Sequence, residues 1–287
     1  MNEQEFLDES LQFVKKMYFE FLEIRKISYE IFNIFNNICI NNNIKYFVAF
    51  GTLLGQIRDG GMIPWDPDID VCVPINTVQQ LIYVLKNELP TDYFFESNFT
   101  HRNFPYYQMR IGKKGYSLDY IHVDIFYLIG APEGKELEDF KNENKNLYKQ
   151  RNYLFLSQQK LVNNKSKFYQ IAKIIFYKIL SKFATKHALD KKFKKLSNMY
   201  DYNSSKQLYV FCECGTDFDI SDIEPIQIKN INDKNIGMPS NPFNILNKCY
   251  KDFKSYLPIN QRFFEMLNWL KQYKIMVGDF KNLNYRG

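Results

Sequence analysis

The chain has 287 residues, of which 45% are apolar, 17% aromatic and 24% charged. That composition supports a sizeable folded core and excludes wholesale disorder, collagen-like repeats and long coiled coil. Lys and Arg total 38 against 32 Asp and Glu, a formal charge of +6. This is too mild by itself to indicate nucleic-acid binding, and it suits phosphorylated substrates or an anionic membrane face.

The five cysteines are Cys39, Cys72, Cys212, Cys214 and Cys249. An odd number at low density argues against a disulfide framework and for reduced thiols in a cytoplasmic protein. Met1 to Ser10 is acidic and lacks the apolar centre of a signal peptide. No run approaches roughly 18 uninterrupted apolar residues, so no membrane span is expected.

From Glu3 to Ile40 apolar residues recur three and four apart, which predicts one long amphipathic helix or two in tandem, with Leu7, Leu11, Val14, Phe21, Ile24 and Ile31 on its apolar face. Asn41-Asn42-Asn43 ends it, since Asn tolerates left-handed backbone. Lys45 to Phe50 reads as a buried strand and Leu53 to Arg58 as a short helix, broken by Asp59-Gly60-Gly61. Ile63 to Pro74 contains the start of a second strand, and Asn76 to Leu89 a helix with Val78, Leu81, Ile82 and Leu85 on one face.

Tyr106 to Ile111 and Leu118 to Ile129 read as two strands joined by a hairpin turn at Gly112-Lys113-Lys114-Gly115. In the second, Ile121, Val123 and Ile125 alternate with His122, Asp124 and Phe126, so one face is apolar and the other carries a carboxylate. Glu133 to Leu147 is polar, an exposed helix or linker. Lys160 to Leu196 is helical and rich in lysine. Gln207 to Cys214 is a strand candidate, Pro225 to Pro242 resembles strands and turns, and Ile245 to Phe253 and Gln261 to Tyr273 close the chain as helices.

The chemistry concentrates between Phe50 and Asp70, which read Phe-Gly-Thr-Leu-Leu-Gly-Gln-Ile-Arg-Asp-Gly-Gly-Met-Ile-Pro-Trp-Asp-Pro-Asp-Ile-Asp. A strand ending at Gly51 lets an anion approach the backbone, and Thr52 with the N–H groups of the next helical turn can donate to phosphate. In an extended segment Asp66, Asp68 and Asp70 point the same way. Such carboxylates repel one another unless a divalent cation lies between them, and hard oxygen ligands suit Mg²⁺ or Mn²⁺. Asp124, from another strand, completes the cluster. Metal plus phosphate cradle is the apparatus of phosphoryl or nucleotidyl transfer. An EF-hand is excluded because the sixth and twelfth positions counted from Asp66 are Val71 and Thr77, and no Gly-Lys-Ser/Thr of a Walker A loop is present.

Gly51-Thr-Leu-Leu-Gly55, Arg58 and Gly61-Met-Ile-Pro-Trp-Asp-Pro-Asp-Ile-Asp70 resemble the LicD family of bacterial phosphocholine transferases, related to the fukutin-type ribitol-phosphate transferases. His122-Val-Asp-Ile-Phe126 is a similar echo, and Gly237-Met-Pro239 and Tyr250-Lys-Asp-Phe253 through Pro258 are weaker ones. Pro67 departs from the pattern where many members carry another Asp, which agrees with 66, 68 and 70 facing a metal and 67 facing away. Tyr250-Lys251 departs where a Gly commonly follows the Tyr.

The resemblance implies an α/β, nucleotidyltransferase-like mixed sheet with flanking helices. Read with the element order, the chain divides into an N-terminal helix and nucleotidyltransferase-like catalytic core over 1–145, a basic helical insert over 146–206, and C-terminal elements completing the same domain over 207–287. The resemblance further implies a CDP-linked alcohol donor, transfer of the phospho-alcohol to a glycan hydroxyl with release of CMP, and no nucleic-acid partner. The glycan would belong to a capsule, lipooligosaccharide or teichoic acid.

Asp68 and Asp70 are the expected Mg²⁺ or Mn²⁺ ligands, with Asp66 as a third ligand or an orienting group. Asp124 is a ligand or the general base, and His122 shares its face. Gly51 and Thr52 are expected at donor phosphate, Arg58 and Arg110 at diphosphate oxygens, and Trp65 stacked on a base or choline group or simply packed. Cys212-Glu213-Cys214, without a second pair, reads as ordinary strand cysteines. The lysines of 160–196 form a solvated basic face or touch an anionic inner leaflet. Rival readings are nucleotidyl transfer with release of pyrophosphate, an Asp-x-Asp glycosyltransferase, and a non-catalytic membrane-docked scaffold.

Overall fold

The computed structural model describes residues 3–101, 103–156 and 185–281. The N-terminal periodicity resolves as one helix, α1 (Glu3–Asn41). Its buried stripe starts at Met17 and runs through Phe21, Ile24, Ile31, Phe32 and Phe35, whereas Leu7 and Leu11 are exposed. The first turns therefore extend past the body they were expected to cover. Asn43 adopts φ +53°, and Ile44 N–H bonds back to the Cys39 carbonyl at 2.8 Å, as an Asn-rich helix end allows.

β1 is only Phe47–Val48, shorter than expected, because α2 (Phe50–Arg58) already begins at Phe50. β2 (Ile69–Pro74) leads through a 3-10 turn into α3 (Val78–Glu88), and β3 (Tyr93–Ser97), which sequence reading missed, follows. β4 (Gln108–Lys113) and β5 (Val123–Ala131) pair antiparallel, but not through a tight turn at Gly112–Gly115. Gly112 lies inside β4, paired with Phe94, and the connection runs on to His122.

The central sheet is mixed, in the order β1-β2-β5-β4-β3. β6 (Gln207–Phe211) joins the far half of β5, and β7 (Asp217–Asp219) joins β6. Only β2 and β5 run parallel among these pairs, which requires the long crossover through α3, β3 and β4. A separate hairpin, β8 (Gln227–Ile231) and β9 (Lys234–Met238), turns through Asn232 and Asp233, both left-handed. It is tied to the core where Gly237 N–H bonds to Tyr46 Oη at 3.2 Å.

α4 (Lys135–Leu156) is not the exposed element its polarity suggested. Phe140, Leu147, Tyr148 and Arg151 are buried, and the helix runs through the 145/146 boundary. α5 (Lys186–Ser197) packs beside it, placing Phe193 flat on Tyr107 at 4.4 Å. Arg151 also lies over the Tyr107 ring, at 4.3 Å, and donates to the Phe104 carbonyl at 2.7 Å. Residues 157–184, which hold most of the expected basic helix, lie outside the described residues. The short α6 (Ile220–Ile223), α7 (Pro242–Cys249) and α8 (Ile259–Lys281) complete the chain. Among the described residues, no helix is long and apolar enough to cross a membrane.

Phe35 is fully buried and meets Tyr46 edge-on at 5.0 Å. Phe35→Ala is expected to lose about 3–5 kcal/mol of stability, read as a lower denaturant midpoint. A loss under about 1 kcal/mol would contradict this packing.

Candidate functional site

The parallel register of β2 and β5 sets Asp70 beside Asp124 on one face of the sheet. The next strand continues the row, with Arg110 opposite Asp124, and Glu96 opposite Arg110. Asp124 is buried and its two oxygens are fully engaged. Oδ1 accepts from Arg110 Nε at 2.7 Å and from Gln108 Nε2, and Oδ2 lies 3.1 Å from His122 Nε2. Burial alone would raise its pKa, but the His122 and Arg110 charges override it and hold the carboxyl well below the usual carboxylate range. Arg110 is raised in turn, burial being outweighed by Asp124, and its guanidinium lies 4.4 Å over the Tyr106 ring.

Among the described residues no cation is paired with Asp70. Burial pushes its pKa well up, and the charges of Asp68, Asp124 and Asp66 push the same way. Its backbone is fixed on both sides. Asp70 N–H donates to Thr52 Oγ1 at 2.8 Å, and the Asp70 carbonyl accepts from Ala49 N–H at 2.9 Å. Thr52 is thus spent on the strand that carries Asp70. Phe50 opens α2 at φ +45°, next to an N-cap with no side-chain hydrogen bond.

The expectation that 66, 68 and 70 alternate along a strand holds only for Asp70. Asp66 and Asp68 precede β2, in the turn and loop that Pro64 and Pro67 impose. Asp66 folds back against the N-terminal turn of α2, where a Cβ on Gly51 would stand 2.5 Å from Asp66 Oδ2. The carboxylate therefore fills the space that the glycine leaves, at a helix end that favours negative charge. Burial raises the Asp66 pKa well up, and Asp68, within hydrogen-bonding reach, adds to it. Arg25 of α1 opposes the rise; its Nη2 also donates to the Ile63 carbonyl at 2.9 Å, holding the turn in place.

Asp66 and Gly51 form one end of a cleft of about 530 Å³, whose other walls include Trp65, Tyr250, Glu265 and Trp269. Arg58 lies at its rim, paired with Asp59 at 2.9 Å and stacked 4.4 Å over Tyr256. Trp65 packs edge-on to Tyr256 at 6.2 Å and carries Arg262 over its ring at 5.1 Å. Sequence reading missed Arg25, Gln108, Glu265 and Arg262. The weak echo at Tyr250 was the one signal that the C-terminal segment returns to the site, and burial raises the Tyr250 hydroxyl pKa there, with Asp66 and Asp70 contributing.

The oxygen-only, mutually repelling donors Asp66, Asp68 and Asp70 fit a hard divalent cation in chemistry and charge. They do not form a preformed cage. Among the described residues no three His, Cys, Asp or Glu side chains converge to hold a metal as they stand, and Asp124 is turned to its cationic partners.

The fold and site define a mixed α/β protein with a group of carboxylates where two parallel strands meet the start of α2. The family model described as LicD/FKTN/FKRP, nucleotidyltransferase domain, matches residues 43–176. The lipopolysaccharide cholinephosphotransferase LicD of Haemophilus influenzae is 35% identical over 75 residues, 26% of this chain and 28% of that protein. Uncharacterized proteins of Rickettsia prowazekii and Rickettsia typhi are each 42% identical over 43 residues, 15% of this chain and 16% and 14% of theirs. The chain thus spans less than a third of the length of these curated relatives.

Raised folded-state pKa values mean that the folded protein gains protons at Asp66 and Asp70 before the unfolded chain does. Stability should rise as pH falls through the raised range of these two carboxyls toward the ordinary carboxylate range. Asp124, held low, loses its contribution only below the ordinary carboxylate range. Thermal melts of Asp70→Asn should show a flatter dependence over that window, and an unchanged slope would refute the coupling. A second outcome tests the clamp: Thr52→Val, which leaves the Asp70 N–H without its acceptor, should cost about 1–3 kcal/mol in chemical denaturation.

Proposed function

We propose that this protein transfers a phospho-alcohol, such as phosphocholine, phosphoethanolamine, phosphoglycerol or phosphoribitol, from a CDP-linked donor to a hydroxyl of a cell-surface glycan, releasing CMP. The observation that carries the reading is the placement of Asp70 and Asp124 side by side on β2 and β5, with Asp66 lining an aromatic cleft and Asp68 within hydrogen-bonding reach of it. The LicD-family match over residues 43–176 and the similarity to a cholinephosphotransferase support it.

Asp68 and Asp70, with Asp66 beside them, would hold Mg²⁺ or Mn²⁺. When bound, the ion would neutralise the donor diphosphate and the developing charge on its leaving group. The donor's anionic part would enter beside Gly51, and Arg58 of the cleft wall with Arg262, which lies over the Trp65 ring, would supply positive charge on the approach. Trp65 and its aromatic neighbours offer ring faces to a base or to a quaternary ammonium. Asp124, kept ionised by Arg110 and His122, is a weak base. In this reading it fixes the charge and orientation of the neighbouring strands, and the acceptor's proton passes to one of Asp66, Asp68 or Asp70.

A screen of CDP-choline, CDP-ethanolamine, CDP-glycerol and CDP-ribitol with Mg²⁺ should yield CMP from at least one donor. Pyrophosphate as the sole product, formed from nucleoside triphosphates, would instead establish nucleotidyl transfer. Asp68→Ala and Asp70→Ala should each reduce turnover by at least about 10³-fold while leaving the circular dichroism spectrum native. Full activity in either variant defeats the assignment.

A further inference from the structure

Four of the five cysteines gather on the C-terminal side of the carboxylate site. Cys72 lies on β2, two residues beyond Asp70, and Cys249 ends α7. Cys212 and Cys214 lie in the turn that joins β6 to β7, beyond the strand that ends at Phe211. They are not the strand cysteines that their sequence suggested.

That turn is held in one conformation. Val210 N–H donates to the Thr216 carbonyl at 2.8 Å, and Cys212 N–H to the Val210 carbonyl at 3.0 Å. Gly215 is left-handed at φ +58°, and any Cβ there would collide with the Tyr209 hydroxyl. The result is a Cys212 Sγ to Cys214 Sγ separation of 2.9 Å. Gly215 N–H also points at Cys212 Sγ at 3.3 Å, and the Thr216 hydroxyl lies 4.0 Å from Cys214 Sγ.

The two thiols are not equivalent. Cys212 is buried and Cys214 is exposed. The Sγ–H of Cys212, aimed at its neighbour, holds the Cys214 thiol down at about 6, while the Cys212 pKa is pushed well up by the same contact and by burial. An accessible sulfur that ionises readily, backed by a buried one within bonding reach, is the division between an attacking and a resolving thiol.

We propose that Cys212 and Cys214 form a reversible dithiol–disulfide pair, a modification site open to small hydroperoxides. Cys214 Sγ attacks one peroxide oxygen and the O–O bond breaks. The leaving hydroxide takes a proton to become water, and Cys214 is left as the sulfenic acid. Cys212 Sγ then attacks Cys214 Sγ. The S–S bond forms as the S–O bond breaks, and the Cys212 proton leaves with the departing hydroxide as a second water. In sum, two thiols and one hydrogen peroxide give one disulfide and two waters, and the peroxide takes up both electrons. A pair closed across one intervening residue, at an exposed turn, belongs with labile disulfides rather than structural ones.

This proposal does not rest on the transferase reading, and its test reads no activity. The full chain is treated with stoichiometric hydrogen peroxide, trapped with an alkylating reagent and mapped by peptide mass spectrometry. Two of the five thiols should become unreactive, the peptide holding residues 212–214 should lose two hydrogen masses, and dithiothreitol should restore both thiols. Cys249→Ser should oxidise as the wild type does. Cys214→Ser should keep Cys212 alkylatable. A bond from Cys214 to Cys249, or over-oxidation of Cys214 with Cys212 still reactive, overturns the pairing, and mapping the wild-type chain decides this even if a variant fails to fold.

Discussion

Asp70, Asp124, Arg110 and Glu96 stand in register across four adjacent strands. Arg110 lies on the Asp124 side of this row and leaves Asp70 unmatched. The asymmetry follows from topology, since β5 is flanked by a parallel strand carrying a carboxylate and an antiparallel strand carrying a guanidinium. Asp124 satisfies its hydrogen-bonding capacity with Arg110, His122 and Gln108, and so contributes a fixed charge. Asp70 inherits that charge as a neighbour, and among the described residues no cation is paired with it to offset it. Asp66 and Asp68 deepen the same negative region.

Elements far apart in the chain keep this region from relaxing. The β1-to-α2 corner grips the backbone of Asp70 through Ala49 and Thr52. α1 reaches the opposite side, where Arg25 holds the Met62–Ile63 backbone and thereby the turn that delivers Asp66. From the other end of the chain, the segment after α7 and the helix α8 wall the cleft with Tyr250, Glu265 and Trp269. The long N-terminal helix is thus a positioning element for the site as well as a core element, which the 3.6-residue periodicity could not reveal.

Local patterns in the chain announced much of this arrangement. The alternation around Asp124 predicted its face, and the apolar spacing predicted α1 and α3 nearly to their ends. The Gly51–Asp70 run identified where the carboxylates lie. What stayed hidden depends on non-local pairing. No periodicity in 66–70 says that only Asp70 belongs to a strand; the prolines at 64 and 67, the first a letter of the family pattern and the second a departure from it, carried that information. Arg58 and Arg110 looked like free phosphate ligands because their partners, Asp59 across a one-residue step and Asp124 across a strand pair, become visible only with rotamers and register. The polar α4 concealed its buried side because a few residues, Phe140, Leu147, Tyr148 and Arg151, do the packing.

Local rules of folding are broken where the carboxylates meet. Several half-buried acids sit together beside the buried Asp124, a non-glycine residue opens a helix at positive φ, and that helix starts without a side-chain cap. Each departure opposes stability, and the strain at Phe50 alone is of order 1–3 kcal/mol. They coexist because the well-packed core around Tyr46, Val48, Leu53, Val71 and Ile125 over-determines the backbone beneath them. A fold that only needed to be stable would place neutral side chains at 66 and 70, as the raised pKa of both positions indicates. The repulsion concentrated there is stored in the folded state, and any positively charged group that enters between the side chains recovers part of it as binding free energy.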